Sequence, residues 1–367
     1  MELQIAVEEL SRALYRAQGI VEKRATQPML SNVLLEAANG TLTVKAFDLE
    51  IGVISVHPAE VQTPGSLTIS ARRLYDIVKM LPEPTMTLKQ GQNNYVEIRC
   101  GAAQFRMVGS SAEDFPSLPQ LAKVPFVKVN PKRLVEMIDL ASFAVSTDET
   151  RFNLNGVFFE PVQGGALRMV ATDGHRLSMV EREVEGDFAL SRGVIIPRKG
   201  VQELKRLLSE AGDEAELGFV ENSCVLRRPG LSMVMQLVNG QFPEYGQVIP
   251  KEAGRSIHVG RLRFLETLKR VSLLSTEQAR TVKLEIGEAV LRVSSQNPDL
   301  GEANEELPLE GAGPTLQIGF NSRYLIDVLT ALSSDEVVLE LTDDLSPGVI
   351  HPAGDKGYTA VVMPVRI

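Results

Sequence analysis

The sequence is poor in cysteine, and its two cysteines, Cys100 and Cys224, lie far apart. Two such residues make neither a disulfide framework nor a four-ligand zinc site. No apolar run approaches the ~20 residues that span a bilayer. The N-terminal segment carries Glu2, Glu8 and Glu9, where a signal peptide has a basic and then an apolar stretch. These absences predict a folded protein of the reducing cytoplasm with no membrane partner.

Motifs that carry enzyme chemistry are also missing. Only four histidines occur, and none has the spacing of metal ligands: His57, His175, His258 and His351. The chain lacks a phosphate-binding loop, a paired-glycine dinucleotide turn, a nucleophile elbow and an HExxH helix. We therefore predict no cofactor, no metal site and no catalytic residue.

One segment, Asp173-Gly174-His175, invites a catalytic or metal-binding interpretation. An Asp-Gly turn between two strands explains the same residues more simply, with Gly174 supplying a positive φ. A hydrolase that uses Asp173 and His175 stays open here as an alternative hypothesis.

The chain contains three copies of one pattern. A strand followed by a helix occurs at Leu3–Leu14, Val127–Ile138 and Ile257–Leu268. A second strand–helix unit follows inside each copy, at Leu67–Val78, Val194–Lys205 and Leu316–Leu329. Alternating strand pairs with polar turns lie between the two units. The period of about 125–130 residues is too long for a solenoid repeat and suits a compact domain.

Each copy holds two helices and about eight short strands, which predicts the α+β class with three repeated domains. The predicted domains are residues 1–121, 126–250 and 254–367. Candidate linkers with prolines or glycine lie between them, at residues 118–124 and 250–254.

The charges are unevenly distributed. The net charge of −9, from 38 Lys and Arg against 47 Asp and Glu, argues by itself against nucleic acid. The predicted helices nevertheless hold 16 Lys and Arg against eight Asp and Glu, over residues 8–18, 71–80, 131–141, 198–209, 261–272 and 322–332. Some of these bases share a face, such as Arg12 with Arg16. One such face is commonly just a solvated surface, but the repetition favours a common basic surface that contacts phosphates.

Three short segments carry a more specific resemblance: TDGHRL at 172–177, PRKG at 197–200 and the terminal VVMPVRI at 361–367. Their order and spacing, with the triplication, resemble the bacterial DNA polymerase III beta subunits, the replication sliding clamps. The resemblance covers the whole chain. It implies the DNA-clamp fold, a head-to-tail ring dimer with helices lining the bore and strands outside. It also implies a non-catalytic subunit that confers processivity by encircling duplex DNA.

The resemblance implies two sets of surface residues. Basic residues at family positions near DNA are Arg24, Arg72, Arg73, Arg151, Arg198 and Lys199. Residues at the family's dimer interface are Phe105, Met107, Leu273, Leu274, Glu302, Glu305 and Glu306, with Arg72 and Arg73 facing the acidic group. Solvated arginines and a solvated acidic loop are the simpler alternatives.

The resemblance also implies a peptide-binding pocket. Its walls are Leu154, Thr172, Gly174, His175, Arg176, Leu177, Pro243, Val248, Leu345, Val361, Met363, Pro364 and Val365. We expect the terminal VVMPVRI to form an edge strand beside the pocket, since proline suits an edge. Ordinary packing between domains is the alternative explanation for these residues.

The implied partners are duplex DNA, a second copy of the chain, the clamp loader and the replicative polymerase alpha subunit. Other polymerases, ligase and mismatch-repair proteins with a Gln-x-x-Leu-Phe-like motif complete the set, and the implied location is the nucleoid. Four positions depart from the family pattern: Asp148, Asn153, Gln247 and Ala279. A ring-shaped scaffold that does not bind DNA is the remaining alternative.

Overall fold

The computed structural model describes residues 1–21, 27–119, 123–163, 165–184, 188, 190, 192–210, 212–250, 254–275, 280–309 and 315–367. Arg24 and Ala279, singled out from the sequence, lie outside these residues. None of the helices in the described ranges combines the length and the apolar character needed to cross a bilayer.

The first copy contains two helices, α1 (Val7–Gln18) and α2 (Ala71–Val78). Its strands β1 to β9 are Glu2–Ala6, Asn32–Ala38, Thr41–Phe47, Ile51–Pro58, Glu60–Thr63, Gly65–Ser70, Thr85–Gln90, Tyr95–Cys100 and Ala103–Ser110. Helix α1 buries Leu10, Ala13, Leu14 and Ala17, the helical spacing visible in the sequence.

The second copy contains α3 (Pro131–Ser142) and α4 (Arg198–Leu208). Its strands β10 to β17 are Phe126–Val129, Gly156–Val162, Ala166–Thr172, Arg176–Glu183, Val194–Pro197, Ala215–Val220, Ser223–Arg228 and Leu231–Gln236. The third copy contains α5 (Arg261–Val271) and α6 (Ser322–Ala331). Its strands β18 to β25 are Arg255–Gly260, Thr281–Ile286, Val290–Asn297, Gly301–Pro308, Leu316–Asn321, Glu336–Leu341, Gly348–Pro352 and Tyr358–Val362.

These elements confirm the predicted α+β class. Each of the six predicted helices is present, with ends within two residues of the expected ones. The ladders between the strands are antiparallel, and each copy contributes eight or nine strands in the described ranges. The alternating burial of β1 and β19 shows why the sequence alternates there, since one face of each strand packs on a core.

By internal contacts the chain divides into two compact units. The first comprises residues 1–132 and 202–237 with a piece around Phe188, and the second comprises 133–184, 190–201 and 238–367. The first contains a 13-stranded sheet ordered β10-β15-β16-β17-β4-β3-β2-β6-β9-β8-β7-β1-β5. The second contains an eight-stranded sheet ordered β14-β11-β12-β13-β25-β24-β23-β18 and a four-stranded sheet ordered β21-β20-β19-β22.

The central copy therefore contributes strands to both units. Strand β17 pairs with β4 of the first copy, and β13 pairs with β25 of the third. Because backbone hydrogen bonds continue each half of the central copy into a neighbouring copy, its strands are shared between two sheets.

The terminal strand is the outermost strand of the third copy, as predicted, but it ends at Val362 and does not end the sheet. Strand β25 lies inside the eight-stranded sheet, with β13 on one side and β24 on the other. Pro364 lies beyond the strand, where its missing N–H costs no ladder bond. The chain then returns to pair Val365 with Gly319 in an isolated bridge.

Candidate functional site

One face of the eight-stranded sheet carries two apolar rows across its strands. Phe158 pairs with Ile195 and with Val170, and Val170 continues the row to Met179. In the neighbouring row, Leu177 of β13 pairs with Val361 of β25. Residues two apart on a strand share a face, so both rows lie on the same side. We call these residues the apolar floor: Phe158, Val170, Leu177, Met179, Ile195 and Val361.

A loop after β17 packs against the apolar floor. We call residues 241–249 the covering loop. The Phe242 ring stacks on the Phe158 ring, with centroids 4.8 Å apart and planes 4° from parallel. Tyr245 meets both rings edge-on, and Leu154 and Ile249 join the same cluster. Aromatic pairs in these geometries add to the free energy gained from burial alone.

Exposed apolar side chains occur on three segments of the same unit. Val248 of the covering loop is 45% exposed, Leu345 is 69% exposed and Met363, just after β25, is 39% exposed. Val248 precedes Ile249 and Met363 follows Val361 by two residues; Val361 belongs to the buried cluster, and Ile249 packs against it. Exposed apolar side chains next to such a cluster are typical of a binding surface. Val and Met suit a site that accepts several apolar ligands, because their surfaces adapt in shape.

The turn Thr172–Arg176 is held by its own side chains. Asp173 Oδ1 accepts hydrogen bonds from the backbone N–H groups of His175 and Arg176, at 2.9 and 3.0 Å. Thr172 Oγ1 accepts from the Gly174 N–H at 3.1 Å. Gly174 has φ = +88°, as the sequence predicted for this turn. The Asp173 carboxylate is thus engaged in shaping the turn and not aimed at a substrate.

Arg176, predicted in the pocket wall, has its side chain engaged by the rest of the fold. Its side chain is 8% exposed and binds Asp173 at 3.1 Å and Asp327 of α6 at 2.6 Å. A third bond goes to the Phe143 carbonyl, and the guanidinium lies over the Tyr324 ring. Asp327 is 151 residues away and Asp173 lies in the turn itself, so no local pattern in the sequence indicates that Arg176 is buried.

His175 lies next to the C-terminal segment. Its ring lies nearly parallel to that of Tyr324, with centroids 6.4 Å apart. Its carbonyl accepts a hydrogen bond from the Met363 N–H at 2.9 Å, and the Val365 N–H donates to Gly319 at 2.9 Å. Burial, and then the negative charge of Asp173, raise the pKa of Tyr324, so this ring stays neutral.

The structure brings together only part of the predicted pocket set. Leu154, Leu177 and Val361 belong to one buried cluster, and the turn residues border it on β12 and β13. Sequence reasoning missed the remaining members: Val170, Ile195, Phe242, Phe158, Met179, Val238, Tyr245 and Ile249. Their signal was the alternation of apolar residues along β11, β12 and β13, which marks a face but not its register with neighbouring strands.

Four of the predicted DNA-contacting residues lie in the first turns of the equivalent helices α2 and α4. Arg72 and Arg73 are exposed in the first turn of α2, and Arg198 is exposed at the start of α4, followed by half-buried Lys199. In α6 the first turn carries Arg323, which sequence reasoning missed.

Several other basic residues are neutralised by carboxylates of the chain itself. Arg151 contacts Asp148 at 3.5 Å, and hydrogen bonds from Thr150 lower the pKa of Asp148. In α1, Arg12 pairs with Glu8 and Glu9, while Arg16 is largely buried against Glu210. The predicted basic face of α1 is therefore mostly compensated.

The predicted interface residues lie on or beside edge strands. Strand β9 pairs with β8 along its length but with β6 only at Gly109 and Ser110, and it carries Phe105 and half-buried Met107. Strand β21 ends the four-stranded sheet and carries Glu302, Glu305 and Glu306.

Two of these three acids already have partners. Glu305 binds Arg270, and Glu306 binds Arg292, each at 2.6 Å. Glu302 is exposed. In the short turn that follows α5, Leu273 is 77% exposed and Leu274 is half-buried.

Two of the positions that depart from the family pattern, Gln247 and Asn153, make local hydrogen bonds. Gln247 donates to Glu244 at 2.7 Å, and Asn153 donates to the Gln241 carbonyl at 3.2 Å. Over the described ranges, no group of three or more His, Cys, Asp or Glu side chains has metal-binding geometry.

Three family models match the chain in order. The DNA polymerase III beta subunit N-terminal, central and C-terminal domains match residues 1–119, 128–244 and 246–366. The beta sliding clamp of Pseudomonas aeruginosa is 33% identical over 368 residues and 100% of both chains.

Solved structures agree with the sequence matches. The sliding clamp of Bartonella birtlesii bound to griselimycin is 37% identical, with a TM-score of 0.95 over 100% of both chains. The DNA polymerase sliding clamp of Bacillus subtilis is 28% identical, with a TM-score of 0.95 over 100% of this chain and 99% of that one. These findings confirm the resemblance found in the sequence and the fold class of three clamp domains. The chain belongs to the DNA polymerase III beta subunit family, the beta sliding clamps.

Proposed function

We propose that this clamp acts as a closed head-to-tail homodimer that encircles duplex DNA and tethers replication proteins through the apolar floor and its exposed surroundings. The observation that carries the proposal is the match of all three clamp domains, in order, over the whole chain. The proposed domains are residues 1–121, 126–250 and 254–367, and the proposed location is the cytoplasm, on the nucleoid.

The chain is not an enzyme. The family is a non-catalytic processivity factor of DNA polymerase III, which confirms the prediction made from the sequence. The hydrolase hypothesis also finds no support in the geometry of its two residues. The Asp173 carboxylate accepts from turn amides and from Arg176, and the His175 ring lies beside Tyr324.

Contact with DNA would run through basic residues that are repeated between the copies. Arg72, Arg73, Arg198 and Arg323 are all exposed at the starts of equivalent helices. Such contacts go to phosphates, do not depend on base sequence and weaken with salt, which permits sliding. Lys199 is included with them, whereas Arg151 must first give up part of its contact with Asp148.

The dimer would form by pairing the β9 edge of one protomer with the β21 edge of its partner. Phe105 and Val108 on β9 are 38% and 67% exposed, and Leu273 beside β21 is 77% exposed. Exposed apolar edges of this kind pair readily with another strand. A heterologous contact closes into a ring when rotation returns the second copy to the first.

The tethered partners would insert a short apolar segment of the Gln-x-x-Leu-Phe kind. Each fully buried Leu or Phe contributes roughly 1.5–3 kcal/mol, which suits micromolar binding once ordering costs are subtracted. The proposed partners are the clamp loader, the polymerase alpha subunit, other polymerases, ligase and mismatch-repair proteins. Because the Bartonella birtlesii clamp is bound to griselimycin, we expect this chain to bind griselimycin as well.

Loading onto nicked circular DNA, followed by cutting the circle, tests this proposal. We expect the clamp to stay on the circle in high salt and to leave after linearisation, because the link is topological. A matched Leu273→Glu variant should fail to stay on the circle, because a charge buried at the apolar contact opens the dimer. Retention after linearisation would contradict encirclement, and absence from the circle would favour a scaffold that does not bind DNA.

A further inference from the structure

A row of charged residues borders the apolar floor on the same face of the sheet. Glu160 of β11 pairs across the strands with Arg168 of β12, and Arg168 pairs with Glu181 of β13. These positions lie two residues from Phe158, Val170 and Met179, so they point to the same side. Arg168 binds Glu181 at 2.6 Å and Glu160 at 3.2 Å.

The side-chain hydroxyl of Tyr245, in the covering loop, lies between residues of this charged row. Its hydroxyl accepts a hydrogen bond from Arg168 at 2.9 Å and donates one to the Glu160 carboxylate. Burial, together with the hydrogen bond to Glu160, raises the pKa of Tyr245, so the phenol keeps its proton. Burial alone would lower the pKa of Arg168, but its bonds to Tyr245 and Glu181 raise it. Tyr245 therefore stays a neutral hydrogen-bond donor and Arg168 stays charged.

Besides Tyr245, the covering loop is held by the Phe242 and Ile249 side chains and by the hydrogen bond from Asn153 to the Gln241 carbonyl. Its backbone hydrogen bonds in the described part of the chain are local: Tyr245 to Pro243, Gln247 to Glu244 and Val248 to Tyr245. No strand ladder includes residues 241–249. Its position on the sheet therefore depends on side chains, among which Tyr245 makes directed hydrogen bonds to charged groups, and such bonds fix geometry more strictly than apolar contacts do.

We propose that Tyr245, held between Glu160 and Arg168, positions the covering loop so that Val248 and Pro243 are in place before a peptide binds. This inference rests on the proposed peptide-binding function. Tyr245 is a positioning residue, since its hydroxyl is occupied by Glu160 and Arg168 and acts through the loop. Ordering a wall in advance removes part of the entropy cost of binding.

The test compares Tyr245→Phe with the unmodified clamp in calorimetry against a synthetic Gln-Ala-Ala-Leu-Phe peptide. The variant keeps the ring and loses only the hydroxyl. We expect its Kd to rise about threefold to tenfold, with the loss in the entropy of binding. Tyr95→Phe, in the other unit, is the matched control and should leave Kd unchanged. Glu160→Gln retains an acceptor for the hydroxyl and should keep Kd within about twofold.

Hydrogen exchange separates positioning from a general loss of stability. The Val248 amide, which bonds to the Tyr245 carbonyl, should exchange faster in free Tyr245→Phe and return to the unmodified rate once peptide is bound. A lower melting temperature with unchanged Kd and unchanged Val248 exchange would overturn the positioning role and leave the peptide site standing. No binding by the unmodified clamp would overturn the peptide site and this role with it.

Discussion

The first and second copies build the same turn but only the second builds an apolar floor. Asp48 Oδ1 accepts hydrogen bonds from the backbone N–H groups of Glu50 and Ile51. Asp173 Oδ1 accepts the equivalent bonds in the second copy, from His175 and Arg176. Leu49, with φ = +79°, takes the place of Gly174. The backbone framework is therefore shared, and the difference lies in the side chains.

The rows beneath these turns differ in what fills them. Where the second copy has Val170 paired with Phe158, the first has Lys45 paired with Leu34, and Lys45 binds Glu36 at 2.6 Å.

The next row is already filled in the first copy. Phe47 is buried in a cluster with Phe115, and the Leu118 side chain occupies the space above Gly52, where the second copy has Leu177. In the second copy the matching stretch after Phe242 places Tyr245 to the side, in the charged row. Both copies thus bury a Phe on this face, and they differ in a residue that follows it: Leu118 packs on the first copy's row, whereas Tyr245 binds the charged row of the second.

The largest effect is expected from moving the first copy's lysine into the second. Val170→Lys places the ammonium near Glu160 as Lys45 lies near Glu36, so the fold has a partner for the charge. Peptide affinity should fall at least about 100-fold, because a charge replaces the centre of the apolar floor. Calorimetry measures the loss, and Val170→Leu is the control that keeps the row apolar. Binding within tenfold of the unmodified clamp would show that the floor is not the site.

A smaller effect is expected from exchanging the turn residues. Gly174→Ala forces a side chain into a positive φ and should cost about 1 kcal/mol of unfolding free energy, whereas Leu49→Gly should regain a similar amount. Urea unfolding measures both. Gly260→Ala is the control, since its added methyl meets open space at an ordinary φ. Equal effects of the three variants would show that turn strain does not differ between the copies.

Acidification should weaken the first unit more than the second. Burial lowers the pKa of His57 below its ordinary 6.5, and a hydrogen bond from His57 lowers the pKa of Glu9 below 4.5. The unfolded chain then binds protons more readily, so stability falls as pH drops below about 6.5 and again below about 4.5. Arg182 occupies the position of His57 in the second copy and pairs with Glu136 and Asp355.

Calorimetric melting of His57→Gln between pH 7.5 and 4.5 measures this contribution. The variant should melt lower at pH 7.5 and lose less on acidification. Arg182→Gln is the matched control for losing the side chain and its hydrogen bonds at the equivalent position of the second copy. A His57→Gln profile parallel to that of the unmodified clamp would refute the assignment.

The smallest effect is expected from the reverse exchange. Lys45→Val makes the first row apolar, but Phe47 and Leu118 still fill the neighbouring one. We expect no new peptide site in a calorimetric titration, and a second binding event would show that a single lysine separates the copies.

Much of the fold followed from the sequence because the apolar periodicity is strong and is repeated three times. Helix α1 was visible from Leu10 and Leu14, and β13 from the alternation of Leu177 and Met179. The continuation of the sheet beyond the last strand was not predicted because its partner, β13, belongs to another copy, and pairing across copies leaves no local signal.

The site was less predictable. Leu154 and Val361 were identified through the family resemblance, but Phe242 and Tyr245 were missed because their role depends on where an irregular loop folds back. The contacts of Arg176 could not be predicted, since only the folded chain brings Asp327, 151 residues away, to its guanidinium. Arg16 likewise is paired with Glu210 from a distant segment.

The stoichiometry of peptide binding tests the central claim most directly. Titration of the unmodified clamp with the synthetic Gln-Ala-Ala-Leu-Phe peptide should show one site per chain, because exposed Val248 and Met363 lie beside the floor of the second copy, whereas Lys45 and Leu118 occupy the corresponding rows of the first. Two or more equivalent sites per chain would contradict the account, since the filled first copy could then not be distinguished from the second.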